Sequence, residues 1–238
     1  MRYQSNLTAP DLAPYFRLLD PPMLTPVGGH DMPSDPDFTP ECGFLTHDEA
    51  AILYNIAKAW PKRWVDIGAR LGWSAAHIMA AGSPATLVEP EARFDLFSSR
   101  LESNLSHFWR EVAWVDHHTS QIHFEDLPPI PSYVAACIDG CHDAPEPTLD
   151  AVRAINAGAN VLVWHDFQGQ PVRDAVAAVL DREWDGGWHA RVYWTPNGMA
   201  VAWRDGCGFV PPTHVPDPLV DWREIQARMS DFDFSRVE

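Results

Sequence analysis

Apolar and polar positions follow two periods along this chain. After Thr46, residues Ile52, Leu53 and Ile56 share one stripe at helical spacing, and Thr46 with Glu49 three places on has the pattern of a capping box. From Arg63 onward, short continuous apolar runs alternate with helical segments. Trp64–Ile67, Ala85–Glu89, Val112–Val115, Tyr133–Ile138 and Asn160–Trp164 read as five buried strands. Residues 74–81, the set Phe94, Phe97, Leu101 and Leu105, and the set Leu149, Val152 and Ile155 read as the helices between them. Pro171 opens a further helix that carries Val172, Val176, Val179 and Leu180.

The alternation predicts a Rossmann-like, doubly wound α/β fold with a mostly parallel seven-stranded sheet. Its last two strands, His189–Trp194 and Met199–Trp203, flank Thr195-Pro196-Asn197-Gly198, in which Asn-Gly is a turn dipeptide, so an antiparallel hairpin closes the sheet. The hairpin places the end of the domain near residue 205. Residues 1–42 form a proline-rich arm with one short helix near Leu12 to Leu19. Residues 206–238 form an acidic tail with one helix over Asp221 to Met229, leaving residues 43–205 as the domain proper.

Charge narrows the choice of partner. Seventeen basic against 33 acidic side chains give a formal charge of −16 over 238 residues. Such a surface repels phosphate backbones and anionic lipid, so neither nucleic acid nor a membrane surface is expected as a partner, and no apolar run reaches spanning length. A small-molecule ligand needs only a local site. Cys42, Cys137, Cys141 and Cys207 make no CxxC pair and are too scattered for a disulfide framework. They read as reduced thiols of a cytoplasmic protein, and the first residues lack the apolar core of a secretion signal. The arm and the tail, with Phe232 and Phe234, are the surfaces through which a homo-oligomer would form.

The first strand-to-helix loop carries candidate chemistry. Asp66-Ile67-Gly68-Ala69-Arg70-Leu71-Gly72-Trp73-Ser74 holds two glycines, Gly68 for a tight turn and close backbone approach and Gly72 at the helix start, with Ser74 able to cap that helix. Glycine pairs also serve turns by geometry alone. Glu89, at the end of the next strand, adds an acid placed to accept the two hydroxyls of a ribose. A pyrophosphate-binding loop needs a middle glycine, whereas Ala69, Arg70 and Leu71 stand here, and Asp66 beside it disfavours phosphate. These features favour S-adenosylmethionine (SAM), which carries an ammonium, a sulfonium and a ribose, over a nicotinamide dinucleotide.

Four segments together carry a resemblance: Asp66-x-Gly68-x-x-x-Gly72-x-Ser74, Leu87-Val88-Glu89, Ile138-Asp139-Gly140-Cys141-His142, and Val163-Trp164-His165-Asp166-Phe167. The chain resembles class I SAM-dependent methyltransferases over roughly residues 43 to 204. It is most similar to a small-molecule O-methyltransferase-like family with "IDG-x-H" after strand four and "HD" after strand five. The resemblance implies that Asp66, Gly68 and Ser74 line the methionine end of the cofactor, with Ala69, Gly72 and Asp139 in the same cradle. It also implies that Glu89 holds the ribose and that residues 116–120 lie near the adenine. The chain departs from the family at Ala157-Gly158-Ala159-Asn160, where relatives have a proline and paired glycines, and at Asp143, Pro145 and Pro147 after His142.

Asp139, His142, His165 and Asp166 converge on the carboxyl ends of strands four and five. In one reading Asp139 and Asp166 bind magnesium, which would hold and acidify a substrate hydroxyl. In another, His142 or His165 is a metal-free general base, with His142 the first choice and Asp139 an orienting acid. In a third the acids cap helices and the histidines fill space. Non-haem iron chemistry, which needs a facial triad, is a minor alternative. The sequence thus predicts an enzyme, a methyltransferase acting on the hydroxyl of a small molecule. The competing reading is a non-catalytic module of the same fold that binds or scaffolds a partner.

Overall fold

The computed structural model describes residues 7–12, 45–70, 72–89, 101–108, 117–118, 134–181, 187–195 and 197–213. Its strands are β1 Trp64–Ile67, β2 Ala85–Val88, β3 His117–His118, β4 Ala135–Ile138, β5 Val161–Trp164, β6 Trp188–Tyr193 and β7 Met199–Arg204. They form one seven-stranded sheet in the order β3-β2-β1-β4-β5-β7-β6. The first five strands run parallel, β7 is antiparallel to β5, and β6 pairs antiparallel with β7. The helices are α1 His47–Ala59, α2 Trp73–Ala80, α3 Glu146–Asn156 and α4 Gln170–Asp181. Residues 101–105 are helical as well.

Every residue of β1, β2, β4 and β5 is buried, which explains their unbroken apolar runs: both faces of the sheet are covered. Alternation then sorts side chains to two cores. Trp64, Leu87, Cys137 and Val163 pack with Ile52, Leu53 and Ile56 of α1, Ile78 of α2, and Leu101 and Leu105. Val65, Ile67, Ile138, Leu162 and Trp164 pack with Ala151 and Ala154 of α3 and with Val172, Val176 and Val179 of α4. The expected apolar stripe of α3 is displaced: Ala151 and Ala154 are buried, while Leu149, Val152 and Ile155 lie only partly covered. Small residues let α3 approach the sheet closely.

Three expectations need correction or fall outside the described residues. The third strand lies at His117–His118, paired with Leu87 and Val88, and the proposed run over residues 112–115 is not among the described residues. The hairpin connection is one residue longer than the expected run from Thr195 to Gly198. Tyr193 pairs with Met199, so residues 194–198 make the connection. Of the arm, residues 7–12 are described, with Leu12 buried in the first core and Asn55 Nδ2 donating to Thr8 O at 2.9 Å. The helices expected near residues 12–19 and 221–229 lie outside the described residues, as do Phe94 and Phe97. Among the described residues no helix is long and apolar enough to cross a membrane.

Candidate functional site

The loop from β1 to α2 rises at the carboxyl edge of the sheet. Gly68 has φ +84°, and its N–H donates to Val88 O at 2.9 Å. A Cβ at Gly68 would lie 2.1 Å from Asp139 O and 2.7 Å from Gly140 Cα. The close approach that the glycine permits is therefore to the chain leaving β4. Gly72, φ +91°, is the N-cap of α2, and a Cβ there would press on Leu101 and Leu105. Ala69 between them is buried. Arg70 also has a positive φ, +45°, and its N–H donates to Glu89 Oε2 at 2.6 Å, so the acid after β2 is fastened to the loop.

Ser74 does not cap α2. It lies inside the first turn, and its hydroxyl donates to Asp66 Oδ2 at 2.7 Å. Asp66 is fully buried, and its Oδ1 has no hydrogen-bond partner. Burial, with repulsion from Asp139 and Glu89, outweighs the hydrogen bonds from Ser74 and Cys137 and pushes its carboxyl up to about 7. Three acids thus stand at adjacent strands: Glu89 after β2, Asp66 within β1, and Asp139 after β4.

Beside them, β4 and β5 deliver the second cluster. Asp139 N–H donates to Ile67 O, and His165 N–H to Ile138 O, so the ladder runs past the strand ends and fixes both residues. His165 is fully buried; its Nδ1 lies 3.0 Å from Asp139 Oδ1 and 3.2 Å from Asp166 Oδ2. Its Nε2 lies 3.0 Å from Glu49 Oε2. Burial would lower the His165 pKa, but Asp139, Glu49 and Asp166 around the ring raise it well above the usual histidine range. Asp139 is correspondingly held down at about 2: burial opposes ionisation, and His165 and His142 overcome it. With carboxylates on both nitrogens, the His165 ring donates on both sides and keeps no lone pair for a substrate proton.

His142 stands over the same two acids. Nδ1 is 3.2 Å from Asp166 Oδ2, and Nε2 is 3.4 Å from Asp139 Oδ1, a contact without well-directed hydrogen-bond geometry. The side chains of His142 and Asp166 are 32% and 30% exposed, against 14% for Asp139, so these two form the open side of the cluster. The Asp139 carboxylate beside the ring raises the His142 pKa against the opposing effect of burial. Asp166 takes φ +53°, a left-handed conformation that an aspartate accepts at some cost in strain. Asp139, His142 and Asp166 each offer one ligand atom, and these atoms all lie within 4.8 Å of one another.

All four residues read from the sequence as a second constellation are brought together. Glu49 was missed. Its capping box with Thr46 is present, yet the side chain is fully buried and also meets His165, Thr195 and Asn197. A signal existed: Glu49 sits at i relative to Ile52, Leu53 and Ile56 at i+3, i+4 and i+7, on the buried stripe of its own helix.

No protein-family model matches the chain, and no curated protein matches it in sequence. Solved structures match it in shape. The O-methyltransferase TomG of tomaymycin synthesis from Streptomyces achromogenes, in complex with SAM, has a TM-score of 0.53 at 15% identity, over 68% of this chain and 82% of that one. The methyltransferase PaMTH1 of Podospora anserina, bound to S-adenosylhomocysteine (SAH), gives 0.54 at 12% identity, over 84% and 91%. Precorrin-6y C5,15-methyltransferase of Geobacter metallireducens gives 0.51 at 14% identity, over 68% and 90%. At these identities the likeness is one of fold, a mostly parallel Rossmann-like α/β sheet with an antiparallel hairpin shared with these methyltransferases.

Proposed function

We propose that the protein is a SAM-dependent methyltransferase that transfers a methyl group to a hydroxyl oxygen of a small molecule. The observation that carries this reading is the row of acids Glu89, Asp66 and Asp139 on three adjacent strands, with Asp66 Oδ1 buried and unpartnered. Such a row suits a ligand with an ammonium and a sulfonium and disfavours pyrophosphate. The residues fit SAM. Asp66, braced by Ser74, would face the ammonium end. Gly68, Ala69 and Gly72 would shape the cradle with Asp139, and Glu89, fastened to Arg70 N–H, would take the ribose.

SAM supplies an electrophilic methyl carbon. On the acceptor side His142 would take the hydroxyl proton as the oxygen bonds to that carbon and the carbon–sulfur bond breaks, leaving SAH. Asp139 and Asp166 orient His142, and positioning supplies much of the rate. His165 acts as a fixed donor to both acids. A second reading, favoured by the closeness of their donor atoms, has Asp139, His142 and Asp166 hold a magnesium ion that would acidify the acceptor hydroxyl. His165 Nδ1 already faces the same oxygens of both acids, which weighs against it.

Two measurements test the proposal. SAH should bind the unaltered protein in calorimetry, and Glu89→Ala should weaken it roughly tenfold or more, as expected for loss of a charged hydrogen-bonding partner. Unchanged binding refutes the ribose assignment. Methyl transfer to a panel of phenols and sugars, with excess chelator, should persist, and His142→Ala should lower kcat by roughly a hundredfold or more. Loss of turnover in chelator selects the magnesium reading. SAH binding with no transfer to any acceptor selects the non-catalytic module.

A further inference from the structure

A capping box asks one thing of its glutamate, that it accept the backbone N–H of the N-cap residue. Glu49 accepts from that group, Thr46 N, at 2.9 Å, and from four donors more. Oε1 takes the Thr195 hydroxyl at 2.7 Å and Asn197 N–H at 3.1 Å. Oε2 takes His165 Nε2 at 3.0 Å and Asn197 Nδ2 at 3.2 Å in addition to Thr46. An ionised carboxylate has about four lone-pair sites, so this one is saturated. An apolar residue would complete the α1 stripe without burying any acid, hence the cap alone does not account for Glu49.

What distinguishes its partners is where the imidazole leads. The far nitrogen of the same ring contacts Asp139 Oδ1 and Asp166 Oδ2, and these two oxygens are the ones that face His142. A planar ring gripped at Nε2 has its Nδ1 direction fixed too. The place of both acids around His142 is therefore set from α1, on the opposite side of His165. We propose that Glu49 is a positioning residue of the acceptor side: by gripping His165 it holds Asp139 and Asp166 in the arrangement that presents His142. Thr195 and Asn197 in turn hold Glu49, so the connection between β6 and β7 belongs to the same device. The inference rests on the methyltransferase reading for its effect on turnover, but its structural half stands apart from activity.

Glu49→Gln is nearly isosteric and keeps one acceptor oxygen while turning the other into a donor that must face His165, Thr195 or Asn197. The expected result is a kcat lowered roughly tenfold to a hundredfold, the range for partners that orient a reacting group through another residue. The Kd for SAH should change much less than kcat, because Asp66, Gly68 and Glu89 keep their places and Asp139 is the one cradle residue reached through His165. The loss should also vanish in a His165→Asn background, since a residue that works through His165 has nothing left to orient. Nitrogen-15 spectra of the histidine rings give a readout free of turnover: the Nε2 proton signal of His165 should shift or broaden in Glu49→Gln. If that variant does not fold, Glu49→Asp, one methylene too short to span cap and ring, is read in its place with the same expectation. An unmoved His165 signal, an unchanged kcat, or losses that simply add in the double variant would overturn the proposal. Absence of turnover in the unaltered protein refutes the methyltransferase reading instead, and the ring spectra still decide whether Glu49 orients His165.

Discussion

Glu49 and His165, 116 positions apart in sequence, meet at 3.0 Å between Oε2 and Nε2 with neither side chain exposed. The pair has a definite pH signature. Burial would raise the Glu49 pKa, but His165 and hydrogen bonds from Thr195 and Thr46 hold it at about 2 against an ordinary 4.5. Its stabilising contribution is complete above pH 4.5 and is lost as pH falls toward 2. His165, raised above 6.5, contributes fully below that pH and loses its contribution as pH rises through its folded value. Both contributions are whole only between pH 4.5 and 6.5. Glu49→Gln should therefore lower Tm most in that window, by the equivalent of a few kcal/mol for a buried pair left half-made. Equal losses across pH 3 to 9, followed by calorimetry, would count against it.

Asp66 predicts the opposite trend. Its carboxyl ionises at about 7 in the fold against 3.8 when free, chiefly through burial. The folded state thus binds the proton more tightly than the unfolded chain, so Asp66 costs stability progressively as pH rises from 3.8 through 7. Asp66→Asn should raise Tm at pH 8 by the equivalent of a few kcal/mol and change it little at pH 4. The same substitution should weaken SAH, whose ammonium loses its partner. A gain in stability together with a loss of binding is the expected pairing, as at sites kept strained for function.

Glycine positions give a contrast that separates backbone conformation from space. Gly68 and Gly82 have nearly the same φ, +84° and +86°. A Cβ at Gly82 meets nothing within 4 Å, whereas one at Gly68 would strike the Asp139 carbonyl. Gly82→Ala should cost about 1–2 kcal/mol, the strain of a left-handed alanine. Gly68→Ala should cost at least about 4 kcal/mol in urea unfolding, because backbone must move as well. Similar costs at the two positions would mean that the contact between the loop and the chain after β4 gives way easily.

Which parts of this were legible in the sequence follows from what each residue meets. The central strands were, because a strand covered on both faces shows as an unbroken apolar run. Of the third strand, the run expected over residues 112–115 lies outside the described residues, and His117–His118, which pair with Leu87 and Val88, carry no apolar run to announce them. Ser74 reads as a cap from sequence because capping rules weigh backbone donors. They do not see that Asp66, eight positions earlier, lies beneath the helix start. The run from Thr195 to Gly198 marks the hairpin to within one residue but not its tie to α1, since Thr195 and Asn197 meet a carboxylate there that no local pattern reveals. The pairing of Asp139 with His165 was visible only as proximity of strand ends. Its geometry came from the register of β4 against β5.

The bond from Asn197 N–H to Glu49 Oε1 closes a span of 148 positions. A growing chain that has emerged only as far as α4 already holds the glycine loop, both aspartates and both histidines. It still lacks Thr195 and Asn197, which supply three of the five hydrogen bonds to Glu49. The acceptor half is therefore finished last, once the closing hairpin docks, and non-local closure of this kind is slow relative to helix and loop formation. A C-terminal truncation ahead of the hairpin would forfeit the acceptor half along with the sheet edge, however well the cofactor loop survived.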